Sequence, residues 1–276
     1  MQRYANTPPR RARAVEGAET SRVLRRVGVA MALALVLAAT ILSRPALGAQ
    51  PGVLAAKEAR HIVATFPGRM AGTPEEDATA KYLADRLLSM GYQPRLERFQ
   101  TGYEFRWENK PERGHDFRNL ISTNVVAERR GTSGKRIIVG AHYDTRIPRS
   151  ERDLARNIGG PKLEGFDDNA SCSGVLLEIA EALREAAPTH TIVFIAFGAE
   201  EIGLLGAHEV VNRMSPEERA NTLWMVNIDS IFTGDRLYFH AGPLTYAKNP
   251  KAGHARDRAL AIAKELGIEA TTNPGL

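Results

Sequence analysis

The chain contains 276 residues, of which 43% are hydrophobic and 25% are charged. These proportions are those of an ordinary globular protein, and they exclude a disordered or low-complexity chain. A single cysteine, Cys172, excludes an internal disulfide framework and a metal site built from several thiolates. The formal net charge is +5, so the distribution of that charge decides whether nucleic acid is a plausible partner.

The positive charge is concentrated in residues 1–48. This segment holds eight arginines and two glutamates, which leaves 29 basic and 30 acidic side chains for the rest of the chain. Within it, arginines precede an uncharged apolar run at 27–42, and the small and turn-forming residues SRPALGAQPG follow at 43–52. This order is typical of a secretory signal peptide and predicts cleavage between Gly48 and Ala49. We therefore expect an exported protein, periplasmic or extracellular, that binds no nucleic acid.

An uncleaved membrane anchor is the alternative interpretation of the same segment. Its apolar run is shorter than the roughly 20 residues that a spanning helix needs, but the long leader before the run favours retention. Under this alternative, the segment at 1–48 would be the contact with the membrane. The catalytic body, residues 49–276, is predicted to be exported in either case and to form one domain.

The body begins with helical patterns and continues with strands. Apolar residues recur at helical spacing at 53–63 and 75–90, where Thr73-Pro74 supplies an N-terminal cap and Gly91 a stop. Exposed or edge strands are expected at 95–99 and 120–127.

Further along the chain, short continuous apolar runs alternate with helical stretches. Such runs are typical of strands buried on both faces, and the alternation predicts an α/β three-layer sandwich with a mostly parallel central sheet. The runs lie at 136–143, 191–198 and 223–229, and the helical stretches lie at 175–187 and 204–214.

Polar residues follow each of these apolar runs, and a polar turn, EGFDDNAS at 164–171, lies between the first two runs. Because sites in such folds form at the carboxyl ends of the strands, we expect these side chains to meet, and carboxylates that meet repel one another unless a cation lies among them. Histidine with aspartate and glutamate suits zinc. Each residue also has an ordinary structural interpretation: a histidine at a strand end, a solvated glutamate pair, or aspartates that cap a helix. The residues are His142, Asp144, Asp167, Asp168, Glu200, Glu201 and Asp229.

Four motifs occur in an order that is specific to one family. GAHYDT (140–145), GFDDNASCSGVLLEIA (165–180), IVFIAFGAEEIGLLGA (192–207) and MVNIDS (225–230) resemble the co-catalytic zinc aminopeptidases of the twenty-eighth metallopeptidase family. The segment FPGRMAGTPEEDATAKYLADRLLSMGY (66–92) resembles the N-terminal helix usual in that family. The resemblance covers about residues 53–242 and implies the zinc-exopeptidase type of sandwich.

The resemblance implies roles for individual residues. His142 and Asp229 would bind one zinc ion, Glu201 the other, and Asp168 would bridge the two. Glu200 would be the general base that takes a proton from the water between the metals. The other roles concern orientation and substrate: Asp144 would orient the ring of His142, and the acidic cluster would bind the free α-amine of a peptide or protein N-terminus.

One ligand of the family scheme is missing. The family uses a further histidine near the C-terminus, and neither His240, in a strand-like LYFHAG, nor His254, which opens a helix through Leu266, is in the expected place; His208 precedes Asp229. The chain ends at TTNPGL, after a strand-like GIEATT, so we expect a catalytic domain that is incomplete at its C-terminus. Cys172 stands where the family usually has glycine. We expect its side chain to be buried at the start of a helix and to have a structural role only.

Three functions follow as hypotheses. The first is an exported zinc aminopeptidase that hydrolyses N-terminal residues from peptides or proteins with two zinc ions per chain. The second is a catalytically impaired or non-catalytic relative, because a zinc that lacks a ligand binds weakly. The third, a single-zinc acyltransferase similar to glutaminyl cyclases, is less favoured because the Glu200-Glu201 pair, together with His142-x-Asp144 and GFDDN, argues for two metals. The sequence leaves the preferred N-terminal residue, the native metal and the oligomeric state open.

Overall fold

The computed structural model describes residues 50–242 and 253–272, so the predicted signal segment at 1–48 lies outside the described residues. The helices are α1 (Val53–Thr65), α2 (Pro74–Ser89), α3 (Glu151–Ala155), α4 (Cys172–Leu183), α5 (Leu205–Arg213), α6 (Pro216–Asn221) and α7 (Gly253–Glu265). The strands are β1 (Arg95–Arg106), β2 (His115–Arg129), β3 (Arg136–His142), β4 (Thr191–Phe197), β5 (Thr222–Asn227), β6 (Leu237–Tyr238) and β7 (Ala270–Thr271). A short 3₁₀ turn lies at Pro111–Arg113, and an irregular turn with non-helical backbone angles at Asp168 and Asn169 lies at Phe166–Ser171.

The central sheet has five strands in the order β1-β2-β4-β3-β5. Strand β3 runs parallel to both β4 and β5, whereas β2 runs antiparallel to β1 and to β4. The predicted α/β sandwich is confirmed, with its parallel part formed by the three apolar runs. Strands β6 and β7 pair in parallel as a separate small sheet.

Helices cover both faces of the central sheet. On one face, side chains such as Val139 and Phe194 pack with α1, α2, α4 and α7 in the main hydrophobic core. On the other face, Val193 and Ile195 pack against α5. Strands β3 and β4 are buried along almost their whole length, as continuous apolar runs between two helical layers must be.

The expectation that the run at 223–229 is buried on both faces is wrong. Strand β5 is the last strand in the order of the sheet, and only alternate side chains along it are partly buried. Leu223 and Met225 are 39% and 47% exposed. An apolar run therefore did not distinguish a central strand from one that has a neighbour on a single side.

The first two helices begin in different ways. Helix α2 begins with the cap that the sequence predicts, whereas the start of α1 is hydrogen-bonded to a residue that is distant in sequence. Thr73 Oγ1 accepts a hydrogen bond from the backbone N–H of Glu76 at 3.2 Å, and Pro74 occupies the first turn of α2. At the start of α1, the backbone N–H groups of Gly52 and Ala55 donate to the Glu178 carboxylate of α4 at 2.7 and 2.6 Å. These bonds satisfy N–H groups that a helix cannot pair internally.

The contact between α1 and α4 requires a glycine. A Cβ atom on Gly174 would lie 2.3 Å from the carbonyl oxygen of Ala55, so any side chain there would force the two helices apart. Beside it, Ser173 Oγ donates to the carbonyl oxygen of His142 at 3.1 Å, which holds the start of α4 against the carboxyl end of β3. Among the described residues, no helix has the length and apolar character needed to cross a membrane.

Candidate metal centre

The carboxyl ends of β3, β4 and β5 lie side by side, and the predicted site residues lie at or just beyond them. His142 is the last residue of β3, Glu200 follows β4 by three positions, and Asp229 follows β5 by two. Asp168 comes from the turn that precedes α4. Parallel strands necessarily bring their carboxyl ends to one edge of the sheet, which is why residues far apart in sequence meet here.

Three of the predicted ligands converge. His142 Nε2 lies 2.9 Å from Asp168 Oδ1 and 3.7 Å from Asp229 Oδ1. One ligand atom from each of the three residues lies within 4.8 Å of the other two. His142 is buried, whereas the side chains of Asp168 and Asp229 are 52% and 44% exposed. An imidazole and two carboxylates that open towards solvent form a donor set that suits zinc.

Asp144 contacts both His142 and the turn after β4. Its backbone oxygen lies 3.2 Å from His142 Nδ1, and its carboxylate lies slightly farther from that nitrogen, at 3.5 Å. The carboxylate accepts the backbone N–H groups of Glu200 and Glu201 at 3.0 and 3.2 Å. The sequence predicts the contact with histidine, but the two bonds to the glutamate turn were not predicted.

The adjacent glutamates occupy different surroundings. Glu200 Oε2 lies 3.8 Å from His142 Nε2 and its side chain is 27% exposed, so a carboxylate faces the group formed by His142, Asp168 and Asp229. Glu201 does not belong to that three-residue group. The role of Glu201 as ligand of a second zinc therefore stays a prediction.

Burial and mutual repulsion raise the pKa of the glutamates. For Glu201 the pKa rises to about 7, mainly through burial and then through the charges of Asp168 and Asp144. The pKa of Glu200 is raised mainly by burial, an effect that the charge of His142 partly offsets. At about 7, the pKa of Glu201 lies where a carboxyl group exchanges protons near neutral pH.

The electrostatics around His142 favour a cation at its Nε2 atom. Burial lowers the pKa of His142, but its contacts with the carboxylates of Asp144, Asp168 and Asp229 outweigh that effect and raise the pKa well above its ordinary value. The hydrogen bond with His142 lowers the pKa of Asp168 in turn. The residues present therefore fit a divalent metal ion, because they attract positive charge to the point where the ligand atoms converge.

Two neighbours of Asp168 tie its turn to the segment that carries Asp229. Asp167 accepts the backbone N–H groups of Phe232 and Thr233 at 2.7 and 3.0 Å, and the hydroxyl of Thr233 at 2.6 Å. Asn169 donates to the carbonyl oxygen of Ile228 at 3.2 Å. Within the motif GFDDN, Asp168 therefore belongs to the site, and Asp167 and Asn169 hold the loop that follows β5. The sequence singled out Asp167 but assigned it no role.

Arg69 is a second residue whose role sequence reasoning missed. It is fully buried, and its guanidinium donates to the carbonyl oxygens of Tyr143, Glu164 and Gly165. The available signal was modest: Arg69 is the sole charged residue between Arg60 and Glu75, in a segment with two glycines. A buried charge in such a segment indicates partners elsewhere in the fold.

Three other histidines, none of which the sequence places as a ligand, do not belong to the three-residue group in the described part of the chain. His208 lies in α5 and His254 in α7, and His240 follows β6 by two positions. Cys172 is fully buried at the start of α4, where burial raises the pKa of its thiol to about 12. This placement agrees with the expected structural role of a small residue.

Comparison with known proteins identifies relatives of the chain. The family model described as Peptidase family M28 matches residues 124–274. The alkaline phosphatase isozyme conversion protein of Escherichia coli (strain K12) is 41% identical over 255 residues, which cover 92% of this chain and 71% of that protein. An aminopeptidase of Pseudomonas aeruginosa (strain UCBPP-PA14) is 38% identical over 109 residues, but these span only 18% of that relative.

Solved structures show the same fold at lower identity. A zinc aminopeptidase from Bacillus subtilis superposes with a TM-score of 0.58 at 17% identity, covering 79% of both chains. A glutaminyl cyclase from Tannerella forsythia has a TM-score of 0.55 at 21% identity, covering 80% of this chain and 76% of its own. At these identities the likeness establishes the fold and not the reaction.

Proposed function

The chain belongs to peptidase family M28, and on this premise we propose that it is an exported zinc-dependent aminopeptidase that releases N-terminal residues from peptides or proteins. The observation that carries the proposal is the convergence of His142, Asp168 and Asp229, whose ligand atoms lie within 4.8 Å of one another. Glu200 adds a carboxylate 3.8 Å from His142 Nε2.

The residues suggest a division of work. His142, Asp168 and Asp229 would hold one zinc ion, and Glu201 would contribute to a second ion that shares Asp168. When bound, zinc supplies a Lewis acid for the scissile carbonyl and makes a nearby water more acidic. Asp144 would fix the position of the His142 ring relative to the turn that carries both glutamates.

Glu200 is the proposed general base. Its carboxylate is partly buried, and it is free to accept the proton of the attacking water and to pass a proton to the leaving amine. Its backbone N–H donates to Asp144, which fixes the turn from which the side chain extends. The surrounding carboxylates would pair with the protonated α-amine of the substrate and so restrict cleavage to the first peptide bond.

An impaired relative is the second candidate function. It is favoured by one observation: in the described residues, His142 is the single histidine of the three-residue group. A zinc ion with too few protein ligands binds weakly, and the domain would then be a binding module that lacks turnover. The glutaminyl cyclase fold likeness keeps single-zinc acyl transfer as a further outcome of the test.

The test uses the purified chain with and without the substitution Glu200→Gln. Zinc content, hydrolysis of aminoacyl-p-nitroanilides and cyclisation of a peptide with N-terminal glutamine are measured in parallel. We expect up to two zinc ions and hydrolysis that E200Q abolishes. Zinc binding without hydrolysis would support the impaired relative, and cyclisation without hydrolysis would support acyl transfer.

A further inference from the structure

Arg69 lies beneath the candidate metal centre, where three segments of the chain meet. Its Nε atom donates to the carbonyl oxygen of Tyr143 at 2.6 Å. Its Nη1 and Nη2 atoms donate to the carbonyl oxygens of Glu164 and Gly165 at 2.6 and 2.7 Å. Tyr143 separates His142 from Asp144, and Gly165 lies three residues before Asp168, so one guanidinium holds the backbone beside both sets of site residues.

The backbone around Arg69 strengthens this junction. The carbonyl oxygen of Arg69 accepts the N–H of Thr145 at 3.0 Å, and the N–H of Gly68 donates to Leu163 at 2.8 Å. Arg69 is therefore bound through its side chain and its main chain to the end of β3, and its neighbour is bound to the loop at 161–165. The segment cannot shift without disturbing both.

The loop that Arg69 holds has little space to move. Gly165 adopts a φ of +56°, and a Cβ atom there would lie 2.5 Å from Thr145 Cγ2 and 2.6 Å from the carbonyl oxygen of Asp168. Glycine is therefore required for the loop to approach the end of β3 so closely. The guanidinium lies at the same point, since that Cβ would lie 3.0 Å from Arg69 Nη2.

We propose that Arg69 is a positioning residue for the metal centre: its guanidinium sets the separation between the loop that carries Asp168 and the strand end that carries His142 and Asp144. The inference rests on the proposed zinc site. A planar guanidinium directs its donors along fixed lines to three carbonyl oxygens, whereas the single ammonium of lysine cannot reproduce that geometry. Metal–ligand distances tolerate errors of only about 0.2 Å, so a small displacement of Asp168 weakens binding.

A role limited to stability makes a different prediction. All three side-chain hydrogen bonds of Arg69 are to backbone carbonyl oxygens. Their loss would destabilise the fold whether or not the bonds also position the metal ligands. If Arg69 serves only the fold, its replacement lowers the free energy of unfolding and leaves the zinc affinity of the folded protein unchanged. If it positions Asp168 against His142, the zinc affinity of the folded protein falls as well.

The test compares Arg69→Lys with Arg86→Lys in the full chain. Arg86 is a matched control, because its guanidinium also makes three contacts, two with Glu58 and one with Ser89, but joins α2 to α1 away from the site. Zinc affinity of the metal-free protein is measured by titration with zinc alone. We expect R69K to bind zinc about 10- to 100-fold more weakly, the range usual for residues that orient ligands, and R86K to bind as the parent chain does.

Two further measurements keep the result independent of protein stability. The visible absorption spectrum of the cobalt-loaded protein reports the coordination geometry, and we expect R69K to change it and R86K to leave it unchanged. Zinc affinity is also derived from the rise in the thermal unfolding midpoint with zinc concentration. This method serves R69K and a second variant, Arg69→Gln, even if both are less stable.

The outcomes separate this inference from the proposed function. If the parent chain binds zinc and R69K binds it equally well with the same cobalt spectrum, Arg69 serves only the fold and the inference is overturned. If the parent chain binds no zinc, the proposed function is contradicted, and the inference about Arg69 is overturned together with it. Weaker zinc binding by R69K and R69Q, with R86K unaffected, supports the inference.

Discussion

The backbone N–H of Glu200 donates a hydrogen bond to Asp144 Oδ1 at 3.0 Å, which joins the carboxyl ends of β3 and β4. The second oxygen of the same carboxylate accepts the N–H of Glu201 at 3.2 Å, and the backbone oxygen of Asp144 faces His142 Nδ1. Asp144 is fully buried. One residue therefore connects the predicted general base, through its carboxylate, with the predicted histidine ligand, through its backbone oxygen.

Replacing Asp144 with asparagine should weaken both the fold and the metal site. The amide has one acceptor oxygen where the carboxylate has two, so one of the two backbone N–H groups is left facing a donor. We expect a loss of about 1–3 kcal/mol in the free energy of unfolding, the usual cost of an unsatisfied buried group. Urea unfolding of the metal-free protein measures this loss.

Zinc titration of D144N completes that test. We expect zinc affinity to fall by about 10- to 100-fold, the range usual for residues that orient ligands, because His142 Nδ1 loses the charged carboxylate at 3.5 Å and keeps only the backbone oxygen of residue 144 at 3.2 Å. Asp85→Asn is the control, since Asp85 lies exposed on α2 and pairs with Lys81. Parent-like stability and zinc affinity in D144N would contradict the orienting role of Asp144.

The substitution Glu200→Gln should separate catalysis from metal binding. Glutamine has nearly the same shape but cannot accept a proton at neutral pH, so we expect kcat to fall by about 10²- to 10⁴-fold, the usual contribution of a general base. Zinc affinity should be retained. Steady-state hydrolysis of aminoacyl-p-nitroanilides measures the effect, with Glu209→Gln on α5 as the control. Full activity in E200Q would exclude Glu200 as the base.

Zinc should stabilise the folded chain through His142, Asp168 and Asp229. Because the ligand atoms converge only in the folded state, zinc at one hundred times its dissociation constant should raise the free energy of unfolding by about 2.7 kcal/mol. Removal of zinc with a chelator should reverse the shift in the thermal midpoint. In Asp229→Asn, one carboxylate ligand is lost and the shift should shrink. An equal shift in D229N and the parent chain would show that zinc binds elsewhere.

Glu76 should make the stability of the fold depend on pH. Its carboxylate is buried and accepts hydrogen bonds from Ser122 Oγ and from the backbone N–H of Gly72. Burial is the main cause that raises its pKa to about 8. The folded protein therefore keeps a proton that the unfolded chain releases above its ordinary pKa of 4.5, so stability falls as pH rises through the window from about 4.5 to 8.

The substitution Glu76→Gln should remove this dependence. Glutamine stays neutral, accepts the N–H of Gly72 and donates to Ser122, whose hydroxyl is free to rotate. We expect E76Q to be more stable than the parent chain by a few kcal/mol near pH 9. Near pH 5 the difference should be small. Urea unfolding at both values measures it, and parallel pH profiles of the two proteins would contradict the raised pKa of Glu76.

Local patterns in the sequence predicted the elements around the site well. The cap at Thr73 and Pro74 begins α2, and the apolar runs at 136–143 and 191–198 form β3 and β4, because a helix cap and a continuous apolar run are both formed by residues close in sequence. The boundaries of the first two strands were less accurate. Strands β1 and β2 extend well beyond the predicted 95–99 and 120–127, since pairing between them continues through residues with mixed polarity.

The amino-acid sequence by itself determined the sandwich class and the acidic motifs at the strand ends. It did so because hydrophobic patterning and motif order are properties of neighbouring residues. The tertiary structure decided which atoms meet: Asp144 with the backbone of Glu200, and Arg69 with the carbonyl oxygens of Tyr143 and Gly165. Such bonds join segments separated by tens of residues, and their donors and acceptors include backbone groups that every residue type carries. No residue pattern encodes them, so only the folded chain reveals them.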